Sequence, residues 1–414
     1  MFRLPGQSGL TISVTGTYTQ MQNPRIIDFD QVINRRGTGS VKYDSAQERG
    51  FPEAALPLWV ADMDFPAAPP ILDALQERLN HGIFGYTEPQ DGYHQAIIDW
   101  WREQHNYVVQ RQWIMDSPGV IASMCAAVRA FTKPGDSVMV QSPVYAPFYN
   151  AVNYNDRKLV LCPLDYAERE YNIDFEAFRQ AIETNEVKLF LLCSPHNPVG
   201  RVWTKLELEK IGTICLQNGV TIVSDEIHCD FAAPDHHHYV FAGLNRRFEQ
   251  ITVTLASPTK SFNLSGLQVS HVFIANDELR RAWIREARSM GMATPNIMGL
   301  IAGQAAYTEG LDWLGRLRAY VNGNDAFIRE FLKQYLPSIH VVDRQGTYLL
   351  WLDCWGTGFT HAEMNTRLAD RGKLWLYDGK EFGEDGEGFQ RLNLAAPREI
   401  LAEAMMRLSV AFSR

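Results

Sequence analysis

The stretch ITVTLASPTKSFNLSGLQ, residues 251–268, decides the predicted fold class. It opens with a short run of β-branched residues and leucine, which is typical of a buried strand, and a serine and a proline then end the strand. Lys260 follows shortly after this end. Because ligands of open α/β sheets collect at the carboxyl ends of the strands, we expect Lys260 to lie at a binding site.

Short apolar runs of the same kind recur along the chain, and several are separated by sequences with helical periodicity. Further strands are predicted at DSVMVQSP (136–143), KLVLCPL (158–164), KLFLLCSP (188–195), VTIVSD (220–225) and SHVFIA (270–275). Helices are predicted at 68–82, 91–105, 119–132, 174–185 and 204–219. Strands that are apolar on both faces and alternate with helices predict an α/β fold, in which helices cover both sides of a mostly parallel sheet.

After residue 300 the alternation of short strands with helices is interrupted. Residues 296–336 predict a nearly continuous helix that links two lobes, and the strands and helices that follow predict a smaller α+β domain. The predicted parts are a flexible N-terminal tail (1–25), an N-terminal segment that joins the small domain (26–65), a large domain (66–300), and the linking helix with the small C-terminal domain (301–414).

Composition excludes several classes of protein. A chain of 414 residues with 46% hydrophobic content predicts a globular protein with more than one lobe. A net charge of −9 argues against a nucleic-acid partner. The six cysteines form no CxxC pair, and neither a membrane span nor a secretory signal is visible, so we expect a cytoplasmic protein. The histidines at 236–238 predict a solvated turn rather than a metal site.

Three polar residues follow predicted strands of the one sheet: Asn197, Asp225 and Lys260. Each alone has an ordinary interpretation, as a turn asparagine, a helix cap or an exposed lysine. Together they match one chemistry, because a lysine bonds an aldehyde, an aspartate keeps a pyridine nitrogen protonated, and an asparagine donates to a ring oxygen. The combination predicts pyridoxal 5'-phosphate as the cofactor.

From about residue 26 onward the chain resembles the fold-type I enzymes of the class I/II aminotransferase superfamily. SPHNPVG (194–200), SDEIH (224–228) and SPTKSFNLSGLQ (257–268) are similar to the superfamily's asparagine, aspartate and lysine blocks. LPLWVADMDFP (56–66) and FGYTEP (84–89) most resemble the MalY/PatB branch of cystathionine β-lyase-like carbon–sulfur lyases. The resemblance implies the pyridoxal-phosphate-dependent transferase fold, with a seven-stranded sheet in the large cofactor-binding domain, and a homodimer with shared active sites.

The resemblance also implies roles for single residues. Lys260 is the catalytic lysine that bonds the cofactor, Asp225 pairs with the ring nitrogen, and Asn197 donates to the ring oxygen. The other implied contacts are Tyr145 on the ring face, His228 near the ring oxygen, the amides of Ile121 and Ala122 and the Ser257 hydroxyl on the phosphate, Tyr86 on the phosphate from a second subunit, and Arg391 on the substrate carboxylate with Asn197 and Tyr145 beside it.

Two positions depart from the aminotransferase pattern. Many aminotransferases have a tyrosine where this chain has His228, and an arginine paired with the phosphate where it has Gln268. Both changes fit the lyase branch, and the second leaves the charge balance of the phosphate open.

The expected function is a carbon–sulfur β-lyase that acts on L-cystathionine or related L-cysteine S-conjugates and gives a thiol, pyruvate and ammonia. The alternative is an aminotransferase, which shares removal of the Cα proton and which the sequence does not separate from the lyase. A regulator that keeps the fold for sensing is a third hypothesis, and the roughly 25 residues before the matched region are too few for a winged-helix module.

Overall fold

The computed structural model of the protein describes residues 28–292 and 294–413. The predicted flexible tail, residues 1–25, lies outside the described residues. None of the described helices has both the length and the apolar composition needed to cross a membrane.

The described strands are mostly short and are numbered here in chain order. They are β1 (Leu56–Pro57), β2 (Ile114–Ser117), β3 (Ser137–Ser142), β4 (Lys158–Pro163), β5 (Asp165–Ala167), β6 (Glu170–Asn172), β7 (Leu189–Cys193), β8 (Thr221–Asp225), β9 (Thr252–Ala256), β10 (Ser270–Phe273), β11 (His340–Val341), β12 (Leu349–Asp353), β13 (Leu374–Trp375), β14 (Tyr377–Asp378) and β15 (Phe389–Asn393).

The described α-helices range from single turns to the long α12. They are α1 (Val41–Asp44), α2 (Pro69–His81), α3 (Asp91–His105), α4 (Val120–Phe131), α5 (Pro147–Asn153), α6 (Phe175–Thr184), α7 (Lys205–Gln217), α8 (Arg246–Glu249), α9 (Pro258–Ser261), α10 (Asp277–Ser289), α11 (Ile297–Glu309), α12 (Leu311–Tyr335), α13 (His361–Arg367) and α14 (Arg398–Phe412).

Seven of these strands form the central sheet in the order β2-β10-β9-β8-β7-β3-β4. All its pairings are parallel except those of β10, which is antiparallel to both of its neighbours. The prediction of a mostly parallel, seven-stranded sheet is therefore confirmed. Because β7, β8 and β9 are adjacent and parallel, the residues that follow them meet at one edge of the sheet.

Strand β7 shows why these sequences are apolar on both faces. Leu189 and Leu191 pack in a cluster with residues of α4 and α10. Phe190 and Leu192, on the opposite face, pack in a second cluster with residues of α6 and α7. All four side chains are buried, so helices cover both sides of the sheet as predicted.

The C-terminal part contains a separate antiparallel sheet in the order β11-β12-β15-β14. Arg391 lies in β15, where its neighbours across the sheet are Trp351 and Tyr377. Strand β1 pairs in parallel with β13, so the N-terminal segment contacts the C-terminal part directly.

The nearly continuous helix predicted at 296–336 is two helices, α11 and α12, which meet at Gly310. A Cβ atom at Gly310 would lie 2.4 Å from the Ala306 carbonyl oxygen and 2.4 Å from the Phe262 ring. Glycine is therefore required by close packing at the junction. Helix α10 was not predicted because the sequence of Asp277–Ser289 is dominated by charged residues.

Candidate active site

A cavity of about 630 Å³ opens at the edge of the sheet where β7, β8 and β9 end. Nine of the ten predicted site residues line it: Ile121, Ala122, Tyr145, Asn197, Asp225, His228, Ser257, Lys260 and Arg391. Tyr86 does not line this cavity and its side chain is exposed. The residues predicted from separate motifs are thus brought together, apart from the tyrosine assigned to a second subunit.

Lys260 is positioned by the sharp change from strand to helix after β9. The Ser257 hydroxyl accepts a hydrogen bond from the Thr259 amide (3.0 Å) and caps the N-terminus of α9. This helix has four residues, and Lys260 is one of them. Burial lowers the pKa of the Lys260 amine to about 8, the nearby positive charge of Arg391 acts in the same direction, and Asp62 and Asp225 oppose it. About a tenth of the amine is then neutral at pH 7. The neutral form is the one that attacks an aldehyde or takes a proton.

Asp225 ends β8 and has one oxygen that no described residue contacts by a hydrogen bond. The Ile227 amide donates to its Oδ1 at 3.1 Å. Burial raises the pKa of the Asp225 carboxyl to about 7, opposed by the hydrogen bond from the Ile227 amide and assisted by the neighbouring Glu226. A cationic partner next to this carboxyl would restore its ionised form, as a protonated pyridine nitrogen does.

Arg391 is a buried cation without a carboxylate partner among the described residues. Its side chain is 2% exposed. It donates to the Asn197 side-chain oxygen (2.9 Å) and to the Trp59 carbonyl (2.8 Å), while its buried Nε has no described acceptor. Burial lowers the pKa of Arg391 to about 10, which still leaves it charged. An uncompensated buried charge is costly, so this arrangement favours an anionic ligand.

Asn197 connects the arginine to the cofactor end of the cavity. Its side-chain oxygen accepts from Arg391, and its amide NH₂ group donates to no described residue. The NH₂ group is therefore available to a ligand oxygen. Tyr145 lies in the wall beside it, where its own amide donates to the Asn197 carbonyl (3.2 Å).

The opposite end of the cavity is built from the first turn of α4. Ile121 and Ala122 line it, and the N-terminal amides of a twelve-residue helix favour an anion. Ser257 and Gln268 lie in the same lining, but the Ser257 hydroxyl already donates to the Val269 carbonyl (2.6 Å). No arginine lines this end among the described residues. Gln268 is neutral, so it does not balance the negative charge of a phosphate as an arginine would.

His228 is neutral in this setting. Burial, followed by the charges of Lys260 and Arg391, lowers the pKa of its imidazole to about 3. Its Nδ1 is buried without a hydrogen-bond partner among the described residues. A neutral imidazole with a vacant nitrogen could donate to a ring oxygen, although it differs from a tyrosine in reach and acidity.

The sequence analysis missed two aromatic walls of the cavity, Trp59 and Tyr377. Trp59 lies in the quoted segment LPLWVADMDFP, whereas the short strand β14 that carries Tyr377 gave no local signal. The guanidinium of Arg391 lies 4.7 Å from the centre of the Tyr377 ring. The Trp59 carbonyl also accepts from Arg391, so both residues contact β15 through tertiary structure.

The prediction of a solvated turn at 236–238 is wrong for His238. This side chain is buried, and its Nε2 lies 2.9 Å from the carboxylate of Glu226, which is itself fully buried. The pairing satisfies two polar groups that would be costly to bury alone. Glu226 is the next residue after Asp225 in the sequence.

The donors of the cavity fit pyridoxal phosphate, the cofactor predicted from the sequence. An amine, a carboxyl with a raised pKa and an unused amide NH₂ group match its aldehyde, ring nitrogen and ring oxygen. The amides at the start of α4 match its phosphate. Arg391, whose Nε has no acceptor among the described residues, remains for a second anion, such as the carboxylate of an amino acid.

Comparison with known proteins gives the same fold and family. A family model described as aminotransferase class I and II matches residues 56–408. The chain is 42% identical over 388 residues to a protein named cystathionine beta-lyase PatB from Bacillus subtilis (strain 168), with 94% of this chain and 100% of that protein covered. It is 32% identical over 385 residues to protein MalY from Escherichia coli (strain K12), with 92% and 98% covered.

The crystal structure of cystalysin from Treponema denticola, which contains a pyridoxal 5'-phosphate cofactor, matches this fold with a TM-score of 0.90. The two chains are 34% identical, and the match covers 93% of this chain and 98% of that one. Because the family model spans most of the chain and the relatives align over nearly their whole length, this chain belongs to the aminotransferase class I and II family.

Proposed function

We propose that the protein is a pyridoxal-phosphate-dependent carbon–sulfur β-lyase that acts on L-cystathionine or related L-cysteine S-conjugates and gives a thiol, pyruvate and ammonia. The observation that carries the proposal is the buried Arg391, which has no carboxylate partner among the described residues and lies in the same cavity as Lys260 and Asp225. A carboxylate-binding arginine next to an amine and a carboxyl with strongly shifted pKa values suits an α-amino-acid substrate.

Pyridoxal phosphate, when bound, supplies an electron sink that weakens the bonds at Cα of an attached amino acid. Asp225 would hold it at the ring nitrogen, Asn197 and His228 at the ring oxygen, Tyr145 at the ring face, and the first turn of α4 with Ser257 at the phosphate. Tyr145 also lies within the lining next to Arg391, so it is placed to contact both cofactor and substrate.

The protein's own contribution is to orient the substrate and to move one proton. Arg391 binds the substrate carboxylate through its planar guanidinium, and Asn197 keeps that guanidinium in place with its side-chain oxygen. Lys260 then takes the proton from Cα as a general base, for which an amine with a pKa of about 8 is suited near neutral pH. A thiolate leaves from Cβ, and hydrolysis of the released product gives pyruvate and ammonia.

The comparisons support elimination over amino transfer. The relatives named above include a cystathionine beta-lyase aligned over its whole length. The walls added by Trp59 and Tyr377 are consistent with a substrate that carries a thioether substituent beyond Cβ.

The test is to incubate the purified, cofactor-loaded protein with L-cystathionine and no keto acid, and to measure pyruvate and free thiol. We expect both products in equal amounts from the wild type and neither from Lys260→Ala. Product formation only after a keto acid is added would contradict the lyase and establish the aminotransferase alternative.

We also propose that the enzyme is a cytoplasmic homodimer whose residues 66–300 form the large cofactor-binding domain and whose residues 301–414 form the linking helix and small domain, joined by 26–65. The exposed Tyr86 supports a role for that residue on a neighbouring subunit. The β1–β13 pairing supports the assignment of the N-terminal segment to the small domain. The cysteines are free, which a reducing compartment favours.

A further inference from the structure

Asp62 is a charged residue beside the active site that none of the roles described above uses. The cavity wall includes its neighbours Val60 and Ala61. Its Oδ2 pairs with Arg35 at 2.5 Å, while its Oδ1 is buried and has no hydrogen-bond partner among the described residues. A buried carboxylate oxygen without a donor is unfavourable unless a nearby positive charge compensates it.

The segment that carries Asp62 is fixed to the turn that carries Lys260. Asn263, three residues after Lys260, has a left-handed backbone with φ of 57°. Its side-chain oxygen accepts from the Met63 amide (2.9 Å), and its NH₂ group donates to the carbonyls of Met63 (3.1 Å) and Phe65 (2.8 Å). This clamp holds the backbone next to Asp62 against the lysine turn.

The same segment is fixed to β15 on its other side. Asn393 donates to the carbonyls of Val60 (2.8 Å) and Asp62 (2.7 Å), and Arg391 donates to the carbonyl of Trp59 (2.8 Å). Residues 59–63 therefore bridge the strand of Arg391 and the turn of Lys260. A charge on this bridge has a fixed position relative to both groups.

We propose that Asp62 is a positioning residue for Lys260, whose carboxylate stabilises the ammonium form that arises when the lysine takes the Cα proton. The inference rests on the proposed function, because it concerns the same amine in the same reaction. Burial favours the neutral amine of Lys260, whereas Asp62 favours its ammonium form. Lys260 can then hold the proton until it returns the proton or loses it to water.

The charged groups that act on Lys260 are Asp62, Asp225 and Arg391. Asp62 raises the pKa of Lys260 more than Asp225 does, against the larger lowering by burial. When the cofactor is bound, Asp225 would pair with its ring nitrogen, which would leave Asp62 as the carboxylate that acts on the lysine. The side chain of Lys260 forms no ion pair with a described residue, and its amine donates a long hydrogen bond to the Ser265 hydroxyl at 3.5 Å.

Asp64 provides a matched control, because it is a second carboxylate that pairs with Arg35, the partner of Asp62. Its two oxygens are both occupied, by Arg35 at 2.7 Å and by the buried Lys42 at 2.8 Å. Asp64→Asn should therefore reduce stability without changing the protonation of Lys260.

The experiment measures the pH dependence of acetylation of Lys260 in the full chain freed of cofactor, by mass spectrometry of the Lys260 peptide. Only the neutral amine reacts, so the midpoint reports its protonation. We expect a midpoint near pH 8 in the wild type, a decrease of about one unit in Asp62→Asn, recovery in Asp62→Glu, and no shift in Asp64→Asn.

Arg35→Gln gives an independent test of opposite sign. Removing the partner of Asp62 leaves its negative charge uncompensated, so the Lys260 midpoint should rise. An unchanged midpoint in Asp62→Asn, or in Arg35→Gln should Asp62→Asn fail to fold, would overturn the inference. Failure of the wild type to form pyruvate would instead refute the proposed function, which separates the two outcomes.

Discussion

At the scale of single residues, Arg391 is a buried charge that needs an anionic partner, and a substrate carboxylate would provide one. A buried guanidinium with one vacant donor and no carboxylate partner among the described residues is expensive to fold, and a substrate carboxylate removes that cost. The fork also fixes the carboxylate in one plane, so its loss should affect both binding and the geometry at Cα.

We predict that Arg391→Lys, which keeps the charge but loses the fork, lowers kcat/KM for cystathionine about 100-fold, since a charge-assisted contact contributes about 1.5–3 kcal/mol. Steady-state kinetics with the cofactor absorbance as a control would check this. Unaltered kcat/KM with full cofactor loading would assign carboxylate binding to another residue.

Asp225 gives a pH-dependent prediction in the cofactor-free protein. Its folded-state pKa of about 7 lies above the value expected for an unfolded chain, so the folded state binds more protons between these values and stability falls as pH rises through this window. Asp225→Asn cannot lose that proton. Relative to the wild type, the variant should gain on the order of a few kcal/mol of unfolding free energy between about pH 4 and pH 8.

Denaturant unfolding of both cofactor-free proteins across this pH range measures the difference. Two stability curves that stay parallel would show that burial does not hold the Asp225 carboxyl in its protonated form.

Residues at strand ends could be predicted from sequence because the pattern that marks them lies within a few consecutive residues. An apolar run, a Ser-Pro or Asp, and one polar residue identified Lys260, Asp225 and Asn197. Asp62 and Tyr377 could not be found in this way, because residues far away in the chain place them. Asn263 holds Met63, the neighbour of Asp62, against the Lys260 turn, and Tyr377 packs on Arg391.

At the scale of elements, the helix turn that carries Lys260 is too short to be stable alone and depends on buried polar contacts. Ser261, the next residue, donates to a carboxylate oxygen of Asp230. The other oxygen of Asp230 pairs with His105 Nε2 at 2.9 Å, so α9 is connected to the end of α3. All three side chains are buried.

We predict that Asp230→Ala lowers the free energy of unfolding by about 3 kcal/mol, because it leaves a buried histidine and a buried hydroxyl unpaired. Glu183→Ala is the control, since its pairing with Arg179 (2.6 Å) is exposed and should contribute within about 0.5 kcal/mol. Urea denaturation at fixed pH measures both, and equal losses would contradict the anchoring role of Asp230.

Element boundaries were predicted well where an apolar period was strong, as in α3 and β7. The break between α11 and α12 was not predicted, because it depends on tertiary packing. The Phe262 ring packs so close to Gly310 that a larger residue does not fit there. The antiparallel direction of β10 was likewise set by tertiary pairing with β2 and β9.

At the scale of the whole molecule, the fold follows from a sheet whose neighbouring strands end at one edge, and the site follows from the C-terminal sheet that brings Arg391 to that edge. Tyr86 alone among the predicted site residues lies outside the cavity, and its side chain is exposed. A second subunit would place it on a phosphate.

We predict that Tyr86→Ala and Lys260→Ala, each inactive or nearly so alone, regain partial activity when mixed and reassembled. In a hybrid dimer one site then combines an intact Lys260 with an intact Tyr86. Pyruvate formation measures the recovery. Mixtures of assembled dimers that stay as inactive as their components would show that each site is built from a single subunit.

The most direct test of the account is to reduce the cofactor-loaded wild type with borohydride and to locate the cofactor by peptide mass spectrometry. We predict that the peptide containing Lys260 carries the added mass and that no peptide carries it in Lys260→Ala. Attachment to another lysine, or turnover of cystathionine with none attached, would contradict it.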